Sequence, residues 1–249
     1  MAGSQALIEI RQLFQIEEFA DVVRLQQEVW GFDDLDLFPV RFLVVVSRIG
    51  GHIFGAYGGA EIVGFCFAIP GIKPNGRPYL HSHMLGVLPG YRDAGIGRRL
   101  KLRQREEALR RGIELIEWTF DPLELKNAFL NIERLGAIVR RYAENHYGIT
   151  GSPLHGGLPT DRCFAEWWIN SPRVKAKLSG EIGQTGGLPH ERVVFPSDIV
   201  RIRMEDRSRA RAIQKENAAK FQDAFQRGLA VTAFERGPDQ SAYLLEPWQ

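Results

Sequence analysis

The segment MLGVLPGYRDAGIGRRL, residues 84–100, decides the fold class of this chain. Its first half is apolar and predicts a strand, which Pro89-Gly90 ends. Gly95 and Gly97 lack a Cβ, so successive backbone N–H groups of the following turn can converge on an anion. A helix is predicted to begin at this turn, and its free N-terminal N–H groups and dipole favour the same anion. Such a turn suits a pyrophosphate.

Two other nucleotide-binding turns fit this segment poorly. A Rossmann turn needs G-x-G-x-x-G with an acidic residue about 20 positions on, and here Leu100 stands where the third glycine belongs. A Walker loop needs Gly-Lys-Ser or Gly-Lys-Thr, and neither occurs in the chain. Glycines in a strand-to-helix turn also occur for packing alone. The turn by itself is therefore compatible with anion binding and with a purely structural role.

Upstream of this segment, the sequence predicts a strand, a helix and a hairpin. Apolar residues recur at helical spacing until Gly31 stops the helix. Gly58-Gly59 supplies the positive φ that a tight hairpin turn requires. The predicted elements are a strand at Leu7–Leu13, a helix at Ile16–Trp30, the hairpin strands His52–Tyr57 and Ile62–Ile69, and a third strand at Leu80–Leu88.

Downstream, strands and helices alternate, which predicts a mixed α/β sheet. Glycine-rich loops are expected at residues 149–160 and near 179–189, and Asp206 is expected to cap a long helix. The C-terminal part is a small α/β unit that is either separate or an extension of the first sheet. The predicted helices are residues 95–111, Leu125–Leu135 and Arg207–Arg227; the predicted strands are Ile113–Phe120, Cys163–Ile169, Arg192–Phe195, Ile199–Met204, Leu229–Phe234 and Ala242–Leu245.

Composition narrows the classes of binding partner and of cellular compartment that we expect. The 32 basic and 30 acidic side chains leave a formal charge of +2, so no global field favours nucleic acid and we expect a small-molecule partner. Cys66 and Cys163 lie in apolar runs, which is typical of reduced core thiols. No apolar run of about 18 residues and no signal sequence occurs, which predicts a cytoplasmic protein without membrane contact. The histidines and cysteines show no metal-ligand spacing, so no metal is expected.

The residues around the turn resemble a known family. Arg92-x-x-Gly95-x-Gly97, preceded by Gly86-Val87-Leu88-Pro89-x-Tyr91, is similar to the R/Q-x-x-G-x-G/A motif of the GNAT acetyltransferases. The resemblance extends over roughly residues 7–170. It implies a mixed, mostly antiparallel central sheet flanked by helices, with an acyltransferase domain at residues 1–170 and a C-terminal α/β extension at 171–249.

The resemblance also implies that acetyl-CoA or another acyl-CoA is the co-substrate. The strand edge at Met84–Leu88 would pair with the pantetheine arm, and the loop would hold the pyrophosphate. Arg98 and Arg99 are candidates for the remaining phosphate, although this basic stretch is also typical of a solvated helix face. Asn127 and Asn131 would bind the pantetheine amides or else serve as helix caps. The implied cofactor residues are Leu85, Val87, Leu88, Arg92, Asp93, Ala94, Gly95, Ile96, Gly97, Arg98, Asn127 and Asn131.

Candidate catalytic groups lie on the strand before the turn. His81 and His83 are two residues apart, so both side chains point to one face, and imidazole titrates in the range a general base needs. In several family members a carboxylate stands at the position of His81; interior, hydrogen-bonded histidines are the alternative interpretation. The family's thiolate-protonating tyrosine is replaced here by Ile132. Tyr142, Tyr147 or water must then supply that proton.

The function predicted from these residues is transfer of an acetyl or larger acyl group from CoA to a primary amine of a small molecule. Arg162 lies in a loop that the resemblance places near the acceptor pocket, where it would bind a substrate carboxylate or else pair with Asp161 or Glu166. The alternatives are a succinyl-CoA-dependent amino-acid N-succinyltransferase and a non-catalytic acyl-CoA-binding protein. The sequence leaves a homodimer open.

Overall fold

The computed structural model describes residues 7–148, 156–180 and 189–248. The chain divides into two compact units, residues 1–116 and 117–249, and the division falls inside one strand, Leu115–Phe120. The two predicted glycine-rich loops lie largely outside the described residues. No described helix combines the length and the apolar composition that a membrane span requires.

The first unit contains four antiparallel strands in the order β1-β2-β3-β4, with three helices. Ile8 of the first strand pairs with Gly58, and His52 of the second pairs with Ala68. A short 3-10 turn at Pro89–Tyr91 connects the fourth strand to the third helix. The elements are β1 (Ile8–Gln12), α1 (Ile16–Trp30), α2 (Val40–Arg48), β2 (His52–Gly58), β3 (Glu61–Ile72), β4 (Pro78–Val87) and α3 (Ile96–Arg110).

Local chemistry explains the ends of α1 and of the hairpin. A reciprocal capping box joins Gln15 and Glu18 at the start of α1, and Gly31 ends the helix with φ of 63°. Gly59 has φ of 68°, the left-handed conformation that the tight turn between β2 and β3 requires. These three predictions, of the helix, its end and the hairpin, are confirmed.

One face of each of the three helices joins a single apolar core. Phe19, Val22 and Leu25 of α1 are buried at helical spacing, and Leu43 of α2 and Leu100 of α3 belong to the same cluster. The strands contribute their buried aromatic residues to this cluster, namely Phe54, Phe65 and Phe67. Burial of large apolar side chains is the main stabilising contribution, so this core fixes where the β4 side chains point.

The β3–β4 ladder contains a bulge at His83. Phe67 pairs with Met84, whereas the next residue of β3, Ala68, pairs with Ser82. His83 therefore has no opposite residue in β3. A bulge bends the strand and re-aims the side chain that it carries.

The second unit has strands in the order β5-β7-β6-β9-β10-β8. Because β9 pairs with β6 through Val139 and Val231, the C-terminal segment extends this sheet. The elements are β5 (Leu115–Phe120), α4 (Leu125–Ala128), a π-helical turn (Phe129–Arg134), β6 (Ile138–Ala143), β7 (Arg162–Trp168), α5 (Pro172–Ser179), β8 (Glu191–Pro196), α6 (Ile199–Glu205), α7 (Arg207–Gln226), β9 (Leu229–Arg236) and β10 (Gln240–Pro247).

The predicted mixed α/β fold with a mostly antiparallel sheet and flanking helices is confirmed. One element is wrong: the strand expected at Ile199–Met204 is the helix α6. Ile199, Ile202 and Arg203 are buried there, which is the i, i+3, i+4 pattern of a helix face. The division into an acyltransferase domain at residues 1–170 and a C-terminal α/β extension at 171–249 stays a prediction.

Candidate functional site

The end of β4 and the start of α3 form the glycine-rich turn that the sequence singled out. Leu88 donates its N–H to Val63 and accepts from the N–H of Tyr91, both at 2.9 Å, so its backbone is held within the turn. Asp93 and Gly95 then take φ of 61° and 74°. Gly95 is the N-cap of α3, and a Cβ added to it would meet no atom within 4 Å, so the space in front of the helix is open.

The first turn of α3 presents N–H groups at its N-terminal end. Among the described residues, the N-cap Gly95 provides no side-chain cap. The first helical bond runs from the N–H of Arg99 to the Gly95 carbonyl at 3.1 Å, so the amides of Ile96 and Gly97 precede the intrahelical ladder. Amides at the positive end of a helix dipole are well suited to a phosphate group. The residues therefore fit the pyrophosphate of an acyl-CoA.

The arginines of this turn have different roles. Arg92 donates from Nε to the Val87 carbonyl at 3.1 Å, which ties the turn to the end of β4. Arg99 donates to the Ile8 carbonyl at 2.6 Å, so it secures α3 to β1 and points away from a phosphate role. Arg98 lies partly buried in the first turn of α3, and its contact with a phosphate stays a prediction.

The two histidines of β4 lie on one face, as predicted. Their ring centroids are 5.5 Å apart, and both side chains are partly buried. Burial lowers the pKa of His83 below its ordinary value, because desolvation disfavours the charged imidazolium. The role of either imidazole as a general base stays a prediction.

Aromatic side chains enclose His83. Phe38 meets its ring edge to face at a centroid distance of 4.5 Å, and Phe67 lies at 5.4 Å. Phe42 packs on Phe38 at 5.1 Å. Sequence reasoning did not find this enclosure, although Phe38 and Phe42 stand four residues apart where α2 begins, a spacing that brings side chains together.

Gln26 fixes the position of Phe38. The side chain of Gln26 is fully buried; it accepts from the Phe38 N–H at 2.8 Å and donates to the Phe38 carbonyl at 3.1 Å. Both main-chain groups of Phe38 are therefore held by one side chain of α1. This clamp was also missed, because its partners are twelve residues apart and lie on different elements.

In the second unit, the helix after β5 differs from the expected α-helix. Only Leu125–Ala128 is α-helical, and Phe129–Arg134 forms a π-helical turn in which the N–H of Leu135 bonds to Leu130. Asn131 and Ile132 are buried in this turn, whereas Asn127 is exposed. Π-helical turns occur frequently at functional sites. The structure leaves the roles proposed for the two asparagines as predictions.

The two candidate tyrosines lie in contrasting environments. The hydroxyl of Tyr142 donates to the buried carboxylate of Asp161 at 2.7 Å, and burial raises the pKa of Tyr142 far above its ordinary value. The Tyr147 side chain is 47% exposed, and its hydroxyl shares a hydrogen bond of 2.9 Å with Thr119. A strongly raised pKa makes Tyr142 a weaker proton donor, and the role of either tyrosine as the acid stays a prediction.

Arg162 is buried at the start of β7. It donates to the Asp161 carbonyl at 2.9 Å, and its guanidinium lies 5.3 Å from the ring of Tyr147. The structure therefore brings Arg162 and Tyr147 together. The role of Arg162 toward a substrate stays a prediction.

Residues 9–130 match the family model of the acetyltransferase (GNAT) family. The chain carries a GNAT acetyltransferase domain. Solved structures of GNAT proteins share its fold. The GNAT acetyltransferase of Streptococcus pneumoniae has a TM-score of 0.53 at 14% identity, over 64% of this chain and 98% of that one.

Two further GNAT structures agree. The ribosomal-protein-S18-alanine N-acetyltransferase of Escherichia coli has a TM-score of 0.52 at 16% identity, over 66% of this chain and 96% of that one. NAA60 of Arabidopsis thaliana, in complex with a bisubstrate analogue, has a TM-score of 0.53 at 15% identity, over 66% of this chain and 99% of that one. No curated protein matches the sequence. Within the described ranges of this GNAT protein, no group of three or more histidine, cysteine, aspartate or glutamate side chains is arranged to hold a metal ion.

Proposed function

We propose that this GNAT protein transfers an acetyl or larger acyl group from CoA to a primary amine of a small molecule. One observation carries the proposal: α3 begins uncapped at the left-handed Gly95, inside the segment that matches the family model. The amides of Ile96 and Gly97 would hold the pyrophosphate, and the β4 edge at Leu85 and Val87 would lie along the pantetheine.

In the proposed reaction, the amine nitrogen attacks the thioester carbonyl. A nitrogen–carbon bond forms, the carbon–sulfur bond breaks, and the proton lost from the amine passes to an imidazole on β4, with His81 as the proposed base. Tyr147 is proposed to protonate the leaving thiolate, and Tyr142 remains the rival donor. Buried, unpaired Cys66 and Cys163 support a reducing compartment, and we propose a cytoplasmic location on that basis.

A second candidate function is acyl-CoA binding without catalysis. Ile132, which occupies the position of the family's proton-donating tyrosine, is fully buried and carries no exchangeable proton. A succinyl-CoA-dependent amino-acid N-succinyltransferase is a third candidate, in which Arg162, held by its bond to the Asp161 carbonyl, would bind the carboxylate of the substrate.

Calorimetric titration with acetyl-CoA, followed by thiol release in the presence of amines, distinguishes these functions. The acceptor panel contains small-molecule amines, amino acids and peptides with a free N-terminal alanine, and the donors are acetyl-CoA and succinyl-CoA. We expect micromolar binding of acetyl-CoA and release of thiol with at least one small-molecule amine. Binding without thiol release across the panel would favour the non-catalytic candidate, and absence of binding would overturn both.

A further inference from the structure

A cavity of about 420 Å³ opens in the second unit where β6 begins and β7 ends. The N-terminal residues of α5 and Trp248 complete its wall. All of its lining residues belong to residues 136–248, so the cavity is a feature of this unit alone. The side chains that matter for its chemistry are Ile138, Arg140, Glu166, Trp168, Arg173 and Trp248.

The cavity is built for a flat apolar group. Two indoles, of Trp168 and Trp248, form part of the wall, and Ile138 adds a buried aliphatic surface. The Trp168 Nε1 lies 3.4 Å from Glu166 Oε2, which directs that indole nitrogen to the carboxylate and leaves carbon atoms of the ring for the cavity. Indole faces favour stacking with another aromatic ring.

The charge of Glu166 is already compensated. Its carboxylate side chain is only 5% exposed, accepts from Arg140 at 2.5 Å, and has the Nε of Arg141 at 3.7 Å. Arg141 in turn pairs with Glu117 at 2.7 Å. A buried carboxylate with these partners has little remaining attraction for a ligand cation.

Among the described residues, Arg173 has no direct ion pair of this kind. Its guanidinium donates to two main-chain carbonyls, of Gly136 at 3.0 Å and of Thr232. Burial lowers the pKa of Arg173, while the carboxylates of Glu133 and Glu246 stabilise its charge electrostatically without forming an ion pair with it in the described parts of the chain. The cavity wall therefore carries one guanidinium whose side-chain hydrogen bonds go to main-chain carbonyls and not to a carboxylate. A guanidinium with unused donors is well suited to a carboxylate.

We propose that this cavity binds a small aromatic carboxylate, with its ring against the indoles of Trp168 and Trp248 and its carboxylate directed to Arg173. This site takes no part in the acyl transfer proposed above and does not depend on it.

Calorimetric titration with three ligands that share one ring tests the charge of the site. Indole-3-acetate carries a carboxylate, indole-3-acetamide is neutral, and tryptamine is a cation. We expect indole-3-acetate to bind at least ten-fold more tightly than the amide, and tryptamine to bind most weakly. Equal binding of acid and amide, tighter binding of tryptamine, or no binding of any of the three would overturn the proposal.

Variants then locate the site. Arg173→Gln removes the charge and keeps a donor for a carbonyl, and Trp248→Ala removes one indole of the cavity wall. Each is expected to weaken indole-3-acetate binding at least five-fold in a protein with unchanged circular dichroism. Arg201→Gln, on the exposed face of α6, is the matched control and should bind as the wild type does. Wild-type affinity in Trp248→Ala and in folded Arg173→Gln would place any binding elsewhere and refute the site. If Arg173→Gln fails to fold, Trp248→Ala decides alone.

Discussion

Lys101 of α3 donates from Nζ to the hydroxyl of Ser82 on β4 at 2.8 Å, and both side chains are almost fully buried. The Ser82 hydroxyl donates to Gln104 at 2.8 Å, so a short polar chain lies between helix and sheet. Burial lowers the pKa of Lys101 to about 7. A charge at this position opposes folding, because desolvation disfavours the ammonium form.

The first prediction is that Lys101 makes the protein more stable as the pH rises. The amine is charged in the unfolded chain up to its ordinary pKa of 10.5 but neutral in the folded chain above about 7. Between these values the unfolded chain binds the extra proton, so the free energy of unfolding rises with pH, by at most about 1.4 kcal/mol per unit. Below about pH 7 the amine is charged in both states, so the full cost of burying the Lys101 ammonium opposes folding.

Urea unfolding of Lys101→Met and the wild type across this range measures the effect. The advantage of Lys101→Met should be largest below pH 7 and should shrink as the pH rises toward 10.5. Lys215→Met, at an exposed position of α7, is the control and should show no pH-dependent difference. A constant difference between Lys101→Met and the wild type would contradict a titrating Lys101.

The second prediction concerns the N-terminus of α3. Gly97→Glu should fold, because a Cβ there would meet only Leu85 Cδ2, at 3.4 Å. Its carboxylate would enter the space in front of the N-terminal amides of α3, so the affinity for acetyl-CoA should fall at least ten-fold. Gly90→Glu, in the preceding turn and with no atom near its added Cβ, should keep wild-type affinity in calorimetry. Equal affinities in the two variants would remove the pyrophosphate from this turn.

The third prediction separates the two histidines. His81→Ala should lower kcat about 100-fold or more and abolish the acid limb of the pH–rate profile, with little change in acetyl-CoA affinity. His83→Ala removes a ring packed against Phe38 and Phe67, so it should mainly lower the melting temperature. His190→Ala, on an exposed turn, serves as the control. Loss of the acid limb in His83→Ala alone would move the base to His83.

The fourth prediction separates the two tyrosines. Tyr147→Phe should lower kcat and leave acetyl-CoA affinity unchanged, since only an exchangeable proton is lost. Tyr142→Phe deprives the buried Asp161 of a donor and should cost about 1–3 kcal/mol of stability, with kcat preserved. Thiol release and thermal unfolding on both variants measure these effects. Full activity in both would leave water as the proton source, and a kcat loss confined to Tyr142→Phe would restore Tyr142 as the acid.

Elements with a strong local signal were predictable from sequence. The helix at Ile16–Trp30, the hairpin at Gly58-Gly59 and the turn before α3 all depend on glycines and on apolar spacing within a few residues. Ile199–Glu205 was misassigned because its alternating β-branched and polar residues fit a strand, and only tertiary packing selects the helix.

Contacts between distant residues were not predictable. No local pattern pairs Tyr142 with Asp161 or Arg173 with the Gly136 carbonyl, because these contacts arise from the sheet register and the packing of α5. The helix α2, with its run of valines, and the π-helical turn after α4 also had no prediction. The assignment of Ile132 to the position of the family's tyrosine counts four residues back from Gly136, which assumes a regular α-helix. In the π-helical turn the hydrogen bonds span five residues instead of four, so this count no longer holds.

The clamp between Gln26 and Phe38 bears on which residues of the segment between them can vary in sequence. Because one side chain holds both main-chain groups of Phe38, the aromatic wall beside His83 does not depend on the composition of the intervening stretch. Residues Asp33–Asp36 are exposed and make no contribution to the core. These four residues lie between Gln26 and Phe38, whose positions the clamp fixes, and substitutions among them are expected to leave both in place. In a library randomised over these four positions, the clamp and the aromatic wall beside His83 are therefore expected to be retained.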